Sequence, residues 1–107
     1  MTERRVTVRG MGRVVLPAYG LADAEHQVEK ELGEAWPGSR AEVLDVARTD
    51  DRARIVEEFA IRYRVRGTVT LAAPTDREAQ TAALRSLRER FAGTRFGNVA
   101  WDVVAVE

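Results

Sequence analysis

Two stretches of the chain read almost alike: RGMGRVVLPA, Arg9 to Ala18, and RVRGTVTLAA, Arg64 to Ala73. At an offset of 55, Arg9, Gly12, Val14, Leu16 and Ala18 meet Arg64, Gly67, Val69, Leu71 and Ala73. The correspondence continues: Ala24, Leu32, Glu34, Gly38 and Arg40 meet Ala79, Leu87, Glu89, Gly93 and Arg95. Two extra residues then enter the second copy around Phe96-Gly97-Asn98. The offset becomes 57, and Leu44 to Ala47 meets Trp101 to Val104. The chain says one thing twice.

Each copy reads as strand, helix, strand. Phe59, Ile61, Tyr63, Val65, Gly67, Val69, Leu71 and Ala73 fall on odd positions, with Arg62, Arg64, Arg66, Thr68 and Thr70 between them. In the first copy Val6, Val8, Gly10, Gly12, Val14, Leu16 and Ala18 share one face; Arg5, Thr7, Arg9, Met11 and Arg13 take the other. A sustained period of two marks half-buried strands with one apolar face and one Arg/Thr face. The helices carry apolar stripes: Ala24, Val28, Leu32 and Trp36 every four residues, then Ala79, Ala83, Leu84, Leu87 and Phe91. Thr75 with Glu78 forms a capping box, and Pro37-Gly38 and Gly93 stop the helices.

Two β-α-β units in tandem are the grammar of the ferredoxin-like α/β plait, a four-stranded antiparallel sheet with two helices on one face. The expected elements are strands near 5–18, 41–48, 57–73 and 98–106 and helices near 21–36 and 76–92. They make one domain, 1–107, from repeats at about 5–48 and 57–106, joined near Arg48 to Arg54. A hairpin turning at Gly10-Met11-Gly12 is the rival reading of the first strand.

The first and third strands are long. Thirteen to fifteen residues reach about 43–50 Å, and the helices cover only about 23–26 Å. The helices would leave Val6, Val8, Phe59, Ile61 and Tyr63 overhanging, and such a patch calls for a partner; the alternative is that sheet twist, or a bend at Gly10, Gly12 and Gly67, folds it back onto its own core. Val104 and Val106 fall opposite Trp101 and Val103, so the last strand reads as apolar on both faces. These seven residues are the candidate interface of a homodimer or higher homo-oligomer, or of another protein.

Composition bounds the rest. Of 107 residues, 45% are hydrophobic and 32% charged, the balance of a folded domain. There is no cysteine, which excludes disulfides and thiolate chemistry and fits a cytoplasmic location. MTERRVTVRG has no apolar run, so no secretory signal is expected, and no segment suits a membrane helix. Net charge is zero, which removes the simplest argument for nucleic acid. Charge is nevertheless segregated. Residues 1–20 carry four Arg and one Glu, +3; residues 21–36 carry five acids and one Lys, −4.

The candidate chemistry is thin. His26 is the sole histidine, with no ligand pattern beside it. Asp45 and Asp102 are repeat equivalents on opposite outer strands, placed to pair with arginines. Asp50-Asp51 suits an exposed connection better than a metal loop. The glycines of RGMGRV precede a strand, not a helix, so they do not form a phosphate loop. Acylphosphatases share the plait, but their loop and catalytic pattern are missing here.

Arg5, Arg9, Arg62, Arg64 and Arg66 form the candidate anion site on the open sheet face. RNA-recognition domains use that face with stacking aromatics; here Phe59 and Tyr63 alternate to the apolar side. The expectation is therefore a non-enzymatic, self-associating domain for assembly or accessory roles, with no cofactor and no metal. An anion- or nucleic-acid-binding module is the second reading. The third is a regulatory small-ligand domain resembling ACT domains, which share the plait and bind effectors between subunits.

Overall fold

The structure, a computed structural model, describes residues 1–49 and 55–107. The elements are β1 (Thr2–Ala18), α1 (Leu21–Ala35), β2 (Arg40–Arg48), β3 (Glu57–Ala73), α2 (Asp76–Phe91) and β4 (Ala100–Val106). The four strands form one antiparallel sheet in the order β2-β3-β1-β4. It curls into a half-barrel about its core.

β1 and β3 pair without interruption over their whole length, from Thr2 opposite Ala73 to Ala18 opposite Glu57. Seventeen residues at about 3.3 Å each span about 56 Å, and the molecule measures 57 × 19 × 18 Å. The hairpin at Gly10-Met11-Gly12 does not form; β1 runs straight through it. Three glycines in these strands face aromatic rings. A Cβ on Gly67 would lie 2.7 Å from the Trp36 ring, one on Gly10 2.6 Å from Trp101, and one on Gly12 2.5 Å from the Tyr63 hydroxyl. The repeated glycine therefore makes room for a ring instead of turning the chain.

The helices start and stop as their sequences dictate. Thr75 accepts the Glu78 N–H at 3.1 Å, capping α2. Asp23 in the first turn of α1 accepts the Tyr19 N–H at 3.0 Å. Gly38 and Gly93 take positive φ, 85° and 79°, just past the two helices, where a left-handed residue closes a helix end.

The apolar overhang expected at Val6, Val8, Phe59, Ile61 and Tyr63 does not exist: all five are fully buried in the chain's own core. The cause is the placement of the helices. α1 enters where Ala18 faces Glu57, and α2 enters at the opposite end, where Thr2 faces Ala73. Each runs back toward the middle, so their lengths, about 22 and 24 Å, add along the sheet. They meet at their C-terminal ends. There the Arg90 guanidinium donates to the Ala35 carbonyl at 3.4 Å, and Trp36 and Phe91 both pack on Trp101, with ring centres 5.8 and 5.1 Å away.

The two extra residues of the second copy accompany Phe96, which is buried edge-on against Tyr63 with ring centres 5.3 Å apart. Sequence periodicity missed it because it belongs to no element. A further correction concerns β4. A bulge at Val104 lets Val103 face Val8 and Val106 face Val6. Trp101, Val103 and Val106 all pack against the core, and Val104 is the residue left exposed.

Candidate functional site

The open face of the sheet is built by register. Arg40 of β2 stands opposite Arg66 of β3, Arg66 opposite Arg9 of β1, and Arg9 opposite Asp102 of β4. Three guanidinium side chains thus share one row across three adjacent strands, about 4.8 Å apart at the backbone. Directly opposed like charges destabilise a sheet. Only one end of the row is neutralised: Arg9 donates to Asp102 at 3.0 Å. In the next row Arg64 pairs with Glu42. Among the described residues, Arg40 and Arg66 have no carboxylate at ion-pair distance.

These side chains, with Thr7, Thr68 and the backbone at Gly38 and Gly67, line a concavity of about 800 Å³. Of the five arginines expected here, the fold brings together Arg9, Arg64 and Arg66. Arg5 and Arg62 lie four residues from the row in opposite directions, about 13 Å along the strands. Arg40 was not expected. Its signal was faint: it sits at the mouth of β2, and only the β2–β3 register places it beside Arg66.

The other candidates separate cleanly. Asp102 binds an arginine as expected. Asp45 faces Arg62 in register, past a bulge at Leu44, but no ion pair joins them; Glu42, ahead of the bulge, is the acid that meets β3's Arg64. His26 is exposed on α1. Among the described residues no three His, Asp or Glu side chains gather as a metal cluster. Asp50-Asp51 lies outside the described residues.

Tyr63 was expected at an interface and is instead a core residue. Its hydroxyl is buried without a hydrogen-bond partner among the described residues. Burial pushes its pKa from 10.0 up to about 12.

A second site is made of backbone. Arg5 and Glu107 exchange both main-chain hydrogen bonds, at 2.9 and 2.8 Å, so odd-numbered residues of β1 point their N–H and C=O groups at β4. Through the register, the odd residues of β3 face β1 and its even residues face away, toward β2. The Thr49 N–H donating to the Glu58 carbonyl at 3.0 Å agrees. β2 pairs with β3 only as far as Arg66. Beyond it, Thr68, Thr70 and Ala72 point three N–H and three C=O groups outward with no strand opposite among the described residues.

The matching stretch of β1 is capped at its two ends, with Val15 open between them. Asn98 donates to the Arg13 carbonyl at 3.3 Å, Gln27 donates to the Pro17 carbonyl at 3.1 Å, and Pro17 has no N–H to offer. The outer edges of β2 and β4 are broken by bulges. Proline, bulges and charges are the usual protections of a sheet edge. Gly67 to Ala73 carries none of them.

No family model matches the chain, and the comparison with curated proteins found no match. Among solved structures it bears a weak likeness to part of a dinuclear metal-binding M20-family peptidase from Bacillus subtilis. Identity is 15% and the TM-score 0.35, over 92% of this chain and 25% of that one. A hydantoinase/carbamoylase-family amidase from Burkholderia multivorans gives 13% identity and a TM-score of 0.30, over 97% of this chain and 28% of that one. The chain spans about a quarter of the length of either.

Proposed function

We propose that this chain is a non-enzymatic assembly domain that pairs with a second copy of itself, edge to edge, through Thr68 to Ala73 of β3. Its architecture is a ferredoxin-like plait drawn out along two long strands; the strand order and the tandem β-α-β repeat support that assignment. The observation that carries the functional reading is the asymmetry of the edges: the others carry bulges, a proline or side-chain caps, and this one is uncharged and open.

An antiparallel pairing about a two-fold axis at Thr70 opposes Thr68 with Ala72 of the other copy. It makes six main-chain hydrogen bonds and joins two sheets into one of eight strands. Val69 and Leu71, half-buried at this edge, would each gain the other as a cross-strand neighbour. The contact is small and is made largely of main-chain hydrogen bonds, each worth about 1 kcal/mol net, so the dimer is weak and forms only at micromolar concentrations or above.

Sedimentation from about 1 to 500 µM spans that range. The expected result is a concentration-dependent shift from 11.9 kDa toward twice that mass. Thr70→Pro removes an outward N–H that the fold itself does not use, so it should abolish the shift and leave thermal unfolding cooperative. A wild-type chain that stays monomeric at the highest concentration, or a Thr70→Pro chain that dimerises equally well, overturns the reading.

A further inference from the structure

We propose a ligand site on the open sheet face for a short condensed phosphate, inorganic or organic, with two or three phosphoryl groups. It would be held by Arg40, Arg66 and Arg9, with Arg64 and the hydroxyls of Thr7 and Thr68 beside them. The site shares Thr68 with the edge contact, by its side chain and not its main chain, and does not require the dimer.

Four arginines against two carboxylates, Glu42 and Asp102, leave the concavity with a charge of +2. The three-arginine row is the source. In the absence of a ligand it opposes like charges across two strand pairs, an arrangement that costs stability and that a bound anion would convert into a gain. Each guanidinium presents a planar fork of N–H donors matched to two phosphate oxygens. Two strand spacings set a row about 10 Å wide, the scale of a di- or triphosphate. The volume of about 800 Å³ lies within the range of small-molecule sites, roughly 300–1,000 Å³.

Charge complementarity alone would suit a nucleic acid equally well. The placement of the aromatics favours the small anion. Trp36, Tyr63, Phe59, Phe91, Phe96 and Trp101 all pack on the core side, and Tyr19, the remaining aromatic, is exposed beyond the end of β1, ten residues from Arg9, so no ring lies beside the row for a base to stack on. Stacking supplies about 1–3 kcal/mol per base in single-strand binders.

Calorimetric titration of the full chain with sodium tripolyphosphate, in buffer without divalent cations, tests the site. Working in the Thr70→Pro background separates it from the dimer. Wild-type residues in the row should bind with a sub-millimolar dissociation constant that weakens as salt rises. Arg66→Ala and Arg40→Ala should each lose at least tenfold in affinity. Asp102→Asn should tighten binding by freeing Arg9. Arg85→Ala, exposed on α2, should change nothing.

A readout in ligand-free protein guards against misfolded variants: Arg66→Thr should raise the melting temperature at low ionic strength, by relieving the row. The proposal is overturned if tripolyphosphate does not bind, or if Arg66→Ala and Arg40→Ala bind it as wild type does. Tighter binding of a deoxythymidine oligonucleotide per phosphate contacted also overturns it, in favour of a nucleic-acid surface.

Discussion

Tyr63 and Gly67 show how single residues are tuned to this core. The Tyr63 hydroxyl is buried without a partner among the described residues, and its pKa of about 12 lies above the ordinary 10.0. A raised folded-state value means that ionisation favours the unfolded chain. The associated stability is complete below about pH 10 and is lost as pH climbs through 12, approaching about 2–3 kcal/mol. Tyr63→Phe should remove that alkaline slope and, near neutrality, leave stability unchanged or raised by up to about 1 kcal/mol. Denaturant titrations at pH 7 and pH 11 check both; a large loss at pH 7 would mean that the hydroxyl has a partner. Gly67→Ala places a methyl 2.7 Å from the Trp36 ring and should cost about 1–3 kcal/mol by overpacking. Trimming Trp36 to Leu in the same chain should recover part of that cost, measured as a double-mutant cycle.

Elements show where alternation is legible and where it stops. The period of two in β1 and β3, and the four-residue stripes of both helices, predict their bounds to within three residues, because each element buries one continuous face. Thr75→Ala should lower stability by about 1 kcal/mol through loss of the α2 cap, read from chemical denaturation. The bulges at Leu44 and Val104 were not legible. A single extra residue reverses the facing of everything after it, and nothing in the local composition marks it. That is why Val106 read as outward, and why Glu42, which alternation counted back from Asp45 puts on the other face, was not read as an acid facing a β3 arginine. The Arg40–Arg66–Arg9 row was hidden for a related reason: it depends on register between strands, which periodicity within a strand does not contain.

The whole molecule reverses one expected experiment. If Phe59 and Ile61 formed an exposed overhang, Phe59→Asp with Ile61→Asp would separate copies and leave each folded. Both are buried beneath the chain's own elements, so a carboxylate at either site is desolvated without a partner. The double variant should be unfolded or expressed insoluble, as read by circular dichroism. The proposed self-association therefore depends on the main-chain edge at Thr70 and leaves the buried apolar side chains of the long strands alone.

Two similar halves, their strand and helix segments, and an apolar face separated from an Arg/Thr face all follow from the sequence alone, because periodicity and capping act between near neighbours. Only the tertiary structure decides that the helices lie at opposite ends, that Gly67 holds a tryptophan, which edge is left open and which arginines become neighbours. These depend on how far one strand slides past another, a single displacement set by the packing of the entire core and written in no short stretch of the chain.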